Sequence, residues 1–265
     1  MFPFIEIFER QIGTYSLFAF LGLLICGLVV TVSCKHINIK VEDAVILILI
    51  TAVGLLVGGH ILYGITNYKN ILDIFSNSYS FKEIFKILAD SFGGMVFYGG
   101  FIGGAAALAI YKKFSKSPFK EYIFDIYAFS IPLFHFFGRL GCFFAGCCYG
   151  IESNIGFTVH DNPIIPDIND VKRFPVSLLE AAFNLLIFAF LFYMFKKGKC
   201  KNKLVFVYML LYSVVRFSVE FLRGDTIRGV YFGISTSQWI SIVLFVLAII
   251  KLFVIKSKNI KKFQQ

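Results

Sequence analysis

The sequence predicts an all-α polytopic membrane protein: a bundle of about seven transmembrane helices, N-terminus outside and C-terminus cytoplasmic, in a single domain over residues 1–265. Three observations carry this expectation. The chain is 58% hydrophobic, with 34 phenylalanines and a mean hydropathy of +0.77, too apolar for a soluble domain of this length. The apolar residues form long continuous runs rather than the alternating pattern of a barrel strand. The lysines gather in a few short segments between those runs.

A hydrocarbon core about 30 Å thick needs roughly 20 apolar residues per helix. The first run, 13–33, is free of charge. The second, 44–66, carries His60 near its end. The third, 94–111, is short and rich in glycine. The fourth, 123–146, contains Asp125, His135 and Arg139. The fifth, sixth and seventh cover 176–195, 204–222 and 237–255. The two longest connections, 67–93 and 147–175, are expected to hold only small capping elements.

Orientation follows from the lysines. Lys112, Lys113, Lys116 and Lys120 lie between the third and fourth runs. Lys196, Lys197, Lys199, Lys201 and Lys203 lie between the fifth and sixth, and Lys256, Lys258, Lys261 and Lys262 follow the seventh. The positive-inside rule places these segments in the cytoplasm. The loop 147–175, with Glu152, Asp161, Asp167 and Asp170, then falls outside. The net charge of +10 is a lysine fringe facing anionic membrane lipid, and implies no nucleic-acid partner.

With this topology His60, Tyr98, Arg139 and Arg216 reach one level near the outer leaflet's head groups. Charges inside a membrane are costly and point to function; the alternative for a single arginine is snorkelling to the interface. Tyr212, Arg216, Glu220 and Arg223 are spaced by four, four and three, which forms one stripe on a helix. Glu220 can pair with either arginine. The other guanidinium then remains for an anion, and its fork matches a phosphate. The glycines of GGMVFYGG, 93–100, either allow close helix packing or leave backbone at Gly99 and Gly100 open to a ligand.

These residues carry a family resemblance. GRLGCFFAGCCYG, 138–150, resembles the signature G-R-x-G-N-F-x-N-x-E-x-x-G of the prolipoprotein diacylglyceryl transferases, with Gly138, Arg139, Gly141, Phe143 and Gly150 matching. VGGHILY at 57–63, GGMVFYGG, FPVSLLEA at 174–181, YSVVRFSVEFLR at 212–223 and GISTSQWIS at 233–241 are similar to further segments of that family, in order along nearly the whole chain. Asp125 lies upstream of the signature as in the family.

The resemblance implies a seven-helix enzyme of the bacterial cytoplasmic membrane. It would move the diacylglyceryl group of phosphatidylglycerol onto the lipobox cysteine of a prolipoprotein signal peptide, with no cofactor and no metal. Arg139 and Arg216 would hold the head-group phosphate. Tyr212 and Glu220 would orient Arg216 or the substrate, and Arg223 would line the outer edge. Tyr98 would stand in the place of the family's histidine, as base or hydrogen-bond donor. His60, Gly99, Gly100, Cys142 and Cys147 would line the substrate site.

The departures fall on polar positions: Cys142 and Ala145 replace asparagines, Cys147 a glutamate, Tyr98 a histidine and His60 an arginine. An alternative is therefore a related enzyme with a different acceptor, possible cysteine participation included, or a non-catalytic lipid-binding protein. Cys142, Cys147 and Cys148 form C-x4-C-C, which is not the usual spacing of zinc ligands. Disulfide, nucleophile and small apolar filler remain open for them. Cys26 is expected to be packing, and Cys34 and Cys200 reduced bystanders near the cytoplasm.

Overall fold

A computed structural model describes residues 2–263 other than 8, 9, 38, 117, 164, 200 and 226–228. Cys200 lies outside the described residues, as do the side chains of Lys256, Lys258, Lys261 and Lys262. The chain divides into two compact units, one of residues 1–29 with 125–265, the other of residues 30–124.

The larger unit begins with a hairpin, β1 (Phe4–Ile7) and β2 (Arg10–Gly13), which leads into α1 (Thr14–His36). α1 continues into the second unit, which holds α2 (Val41–Thr66), α3 (Tyr68–Ser76), α4 (Phe81–Phe92) and α5 (Phe97–Phe114). The larger unit then resumes through α6 (Ile123–Ala145), a ribbon of β3 (Glu152–Thr158) and β4 (Lys172–Arg173), α7 (Val176–Lys196), α8 (Leu204–Val219), a hairpin of β5 (Val230–Tyr231) and β6 (Ile234–Ser235), and α9 (Thr236–Phe263).

Among the described residues six helices, α1, α2, α6, α7, α8 and α9, are long and apolar enough to cross a membrane, or seven spans if a bent pair counts as one. The expected third span is different. α4 and α5 qualify only together, and they meet at an 86° bend. The reason is local: Gly93 and Gly94 break the helix, and the 18 residues of α5 reach only about 27 Å at 1.5 Å per residue. The connection 67–93 is also more than a cap. α3 and α4 are amphipathic helices with Phe75, Phe81 and Phe85 exposed, the character of helices that lie in a membrane interface. Ser80 and Glu83 form a reciprocal capping box that fixes the start of α4.

In the second unit α2 and α5 pack through glycine. A Cβ on Gly54 would lie 2.6 Å from Ala107 Cβ, and one on Gly58 would lie 2.7 Å from Gly103 Cα. Gly99 faces Gly58 and Leu62, and Gly100 faces Leu55 at 3.1 Å. The small residues therefore let two backbones touch.

In the larger unit, buried Asp125 of α6 accepts from the backbone N–H groups of Asn202 (2.7 Å) and Leu204 (3.2 Å), so it anchors the start of α8. Gly141 lets α6 approach α1, where its Cβ would meet Tyr15 Cα at 3.2 Å. Phe18 and Phe144 stack across the same contact, 5.1 Å between centroids. Gly150 is wedged between two strands of backbone: Ile151 N–H donates to Leu222 O, and Phe174 N–H donates to Ile151 O.

Candidate active site

Three helices of the larger unit converge. α6 presents His135, Arg139 and Cys142, spaced by four and three and so on one face. α7 presents Glu180, and α8 presents Tyr212 and Arg216. The expected continuous stripe to Arg223 is not formed. α8 ends at Val219, Glu220–Leu222 tighten into a 3-10 turn, and Arg223 has extended backbone. The tightening turns Arg223 toward Glu180 and Asp225 instead of along the helix.

Glu180 is the hub. Its Oε2 lies 2.8 Å from Arg139 Nε and 3.5 Å from Arg223 Nη1, and its Oε1 lies 2.5 Å from Arg216 Nη1. Arg216 Nη2 reaches Glu220 at 2.7 Å and donates to Ser237 Oγ at 3.1 Å. Arg223 grips Asp225 with Nε at 3.0 Å and Nη2 at 2.8 Å. Three guanidiniums thus meet three carboxylates. Buried charge needs this pairing, because isolated ions lose several kcal/mol of hydration each.

The three arginines are not equivalent. Arg216 and Arg223 have side chains 6% and 2% exposed, and each uses both of its Nη groups on carboxylates or a hydroxyl. Arg139 is 13% exposed. Among the described residues it engages only through Nε, which faces both Glu180 and His135 Nε2, the latter at 3.1 Å. A guanidinium cannot accept, so His135 Nε2 is the acceptor and carries no proton. The Tyr212 ring lies 5.3 Å from the His135 ring, and Tyr208 stacks on Tyr212 at 5.5 Å. Arg139 is therefore held at one edge while its two Nη groups stay available.

The cysteines gather at the end of α6. All five described cysteines are free. The Sγ atoms of Cys142, Cys147 and Cys148 lie within 4.8 Å of one another. Hydrogen bonds from the Cys142 and Cys147 thiols, aided by Arg139 and Arg223, hold Cys148 well below the ordinary thiol range; hydrogen bonds with Cys142 and Cys148, together with burial, push Cys147 up. Cys26, on α1, places its thiol 3.6 Å from Ser130 O, a packing role. Burial raises the Asp225 carboxyl, with Arg223 opposing.

His60, Tyr98, Gly99 and Gly100 belong to the second unit. His60 Nδ1 is 2.7 Å from Phe92 O; a carbonyl only accepts, so Nδ1 donates. The neighbouring Val96 N–H donates to Gly59 O at 3.2 Å. His60 thus ties α2 to the bend between α4 and α5. Tyr98 is half-buried in the first turn of α5. The Cα faces of Gly99 and Gly100 are filled by α2.

Sequence reasoning passed over Glu180. The signal was present, since it is an acidic residue inside a 21-residue apolar helix, and such a residue needs a cationic partner. His135, visible in the sequence only as a polar residue of the fourth run, shares a helix face with Arg139 and contacts it directly.

Fold and site together define an integral membrane protein with three arginines gathered on one carboxylate inside a helical bundle. A model of the family "Prolipoprotein diacylglyceryl transferase" matches residues 3–254. The chain is 32% identical over 247 residues to the phosphatidylglycerol–prolipoprotein diacylglyceryl transferase of Clostridium tetani, covering 92% of this chain and 93% of the relative. It is 32% identical over 259 residues to the corresponding transferase 2 of Clostridium perfringens, covering 97% and 96%. A Clostridium botulinum relative of the same description is 30% identical over 248 residues, covering 92% and 91%. The chain belongs to the prolipoprotein diacylglyceryl transferase family, multi-pass enzymes of the bacterial cytoplasmic membrane.

Proposed function

We infer that the protein transfers the diacylglyceryl group of phosphatidylglycerol to the thiol of the lipobox cysteine in prolipoprotein signal peptides, the first step of bacterial lipoprotein modification. Family membership supports the reaction class. The observation that carries the site assignment is the pair of uncommitted Nη groups on Arg139.

The acceptor thiol loses its proton to solvent, because the thiolate is the nucleophile. Sulfur then bonds to the glycerol carbon that carries the phosphate ester. The carbon–oxygen bond breaks, its electron pair passes to the phosphate oxygen, and glycerol phosphate leaves. Negative charge grows on that phosphate, and a fixed guanidinium fork stabilises it. We assign this contact to Arg139. Arg216 and Arg223 are positioning residues, since their donors are occupied by Glu180, Glu220, Asp225 and Ser237. Glu180 and His135 fix the Nε edge of Arg139, and Tyr212 supports His135. In this reading Arg216 supports Arg139, where the resemblance implies a second phosphate ligand.

For Tyr98, the resemblance supports a hydrogen bond to the reacting groups, and Tyr98→Phe removes only the hydroxyl that would make it. The lysine clusters support an orientation with the N-terminus outside, the C-terminus cytoplasmic and Arg139 in the outer half of the membrane.

The experiment combines purified protein, phosphatidylglycerol micelles and a lipobox peptide, and measures released glycerol phosphate. Release that requires the peptide's cysteine, and stops when that cysteine is replaced by serine, is the expected result. Release that ignores the peptide, or none beside an active relative, would overturn the reading.

A further inference from the structure

The end of α6 brings together three sulfurs that the transfer chemistry does not use. We propose that Cys142, Cys147 and Cys148 form a three-thiolate binding site for a zinc ion. Tetrahedral zinc bonds sulfur at about 2.3 Å, which requires sulfurs roughly 3.8 Å apart. The three Sγ atoms lie within 4.8 Å of one another, so small side-chain rotations complete the site.

The chain builds this cluster by tertiary means, which is why C-x4-C-C does not read as a zinc motif. Cys142 sits in the last turns of α6. Gly146 (φ 75°) and Cys148 (φ 56°) take left-handed backbone and fold the chain back over the helix end. Cys147 N–H donates to Cys142 O at 3.2 Å. Cys148 is not a glycine, so its left-handed conformation is disfavoured. Ser177 Oγ donates to Cys148 O at 2.8 Å and pins it. The strain serves to bring the third sulfur to the other two.

Charge and softness agree. Thiolates select soft cations such as zinc over magnesium or calcium. Three thiolates and one Zn2+ carry a net charge of −1, and Arg139 and Arg223 both act on Cys148. Among the described residues no His, Asp, Glu or further Cys atom joins the set. A crevice lined by Phe143, Cys147, Cys148, Tyr149, Arg173 and Ser177 opens beside the sulfurs. A fourth ligand, water, can enter there, giving the open three-ligand pattern. Binding releases the thiol protons to solvent.

The test is the metal content of the full chain, purified in detergent under reductant, incubated with zinc and desalted. One zinc per chain is expected, kept by Cys34→Ser and lost by Cys148→Ser. Loading the wild-type chain with Co2+ should give a thiolate-to-cobalt charge-transfer band, a readout that needs no variant. Absence of bound zinc in the reduced wild-type chain, zinc retained by Cys148→Ser, or a cobalt spectrum without thiolate bands would each overturn the site. A disulfide that persists among these cysteines under reductant and excludes zinc would do the same.

Discussion

Replacing Glu180 by glutamine should unbalance the core of the larger unit. The side chain keeps its shape and one acceptor oxygen, but the hub charge is gone. Arg139, Arg216 and Arg223 would then face only Glu220 and Asp225, leaving one uncompensated positive charge among arginine side chains that are 2% to 13% exposed. Removing one partner of a buried ion pair costs about 3–5 kcal/mol. Glutamine still accepts a hydrogen bond, so the lower end, about 3 kcal/mol, applies. For a chain of this size that corresponds to a fall in Tm of roughly 6–12 °C, read by thermal unfolding of the detergent-solubilised protein. Glu180→Gln combined with Arg216→Met removes one charge of each sign. The pair should be less destabilising than the sum of the single changes, as expected for coupled residues. A Tm for Glu180→Gln within about 1 °C of the wild type, or strict additivity in the double variant, would refute the hub.

Other consequences follow from the packing and the orientation. Asp125→Ala should lower stability by about 3 kcal/mol, since two backbone N–H groups at the start of α8 lose a charged acceptor; thermal unfolding reads it. Gly103→Val places a side chain against Gly54 and Gly58 backbone, which cannot yield, so folded yield should drop and the Tm should fall by several degrees. Gly138→Ala, with open space around its Cβ, should leave both unchanged. A fluorescent protein fused to the C-terminus should be bright in intact cells; a dark fusion would invert the proposed orientation.

Periodicity and length made most of the fold legible, because a bilayer demands about 20 apolar residues and charge marks the ends. They placed α1, α2, α6, α7 and α8 to within a few residues, and the start of α9 to within one, while α9 runs eight residues past the expected end. They did not show α4 bent against α5, because glycine-rich sequence suits either close packing or a break. Arg139 and Arg216 were legible as charges in apolar runs. The different pairing of the two was not, since it depends on Glu180 reaching across from α7. Arg223 was misplaced because spacing assumes a helix that in fact tightens at Glu220. The meeting of the three cysteine sulfurs depends on two left-handed residues, Gly146 and Cys148, that no spacing rule reveals.

The most direct test of the central claim is the mass of a lipobox peptide after incubation with the protein and phosphatidylglycerol. The wild type should add one diacylglyceryl group to the peptide cysteine. Arg139→Ala should slow that addition by about 100-fold or more, the usual effect of removing a donor to developing charge, at a temperature where circular dichroism shows the variant still folded. Full-rate transfer by Arg139→Ala, or no adduct with the wild type beside an active relative, would contradict the account.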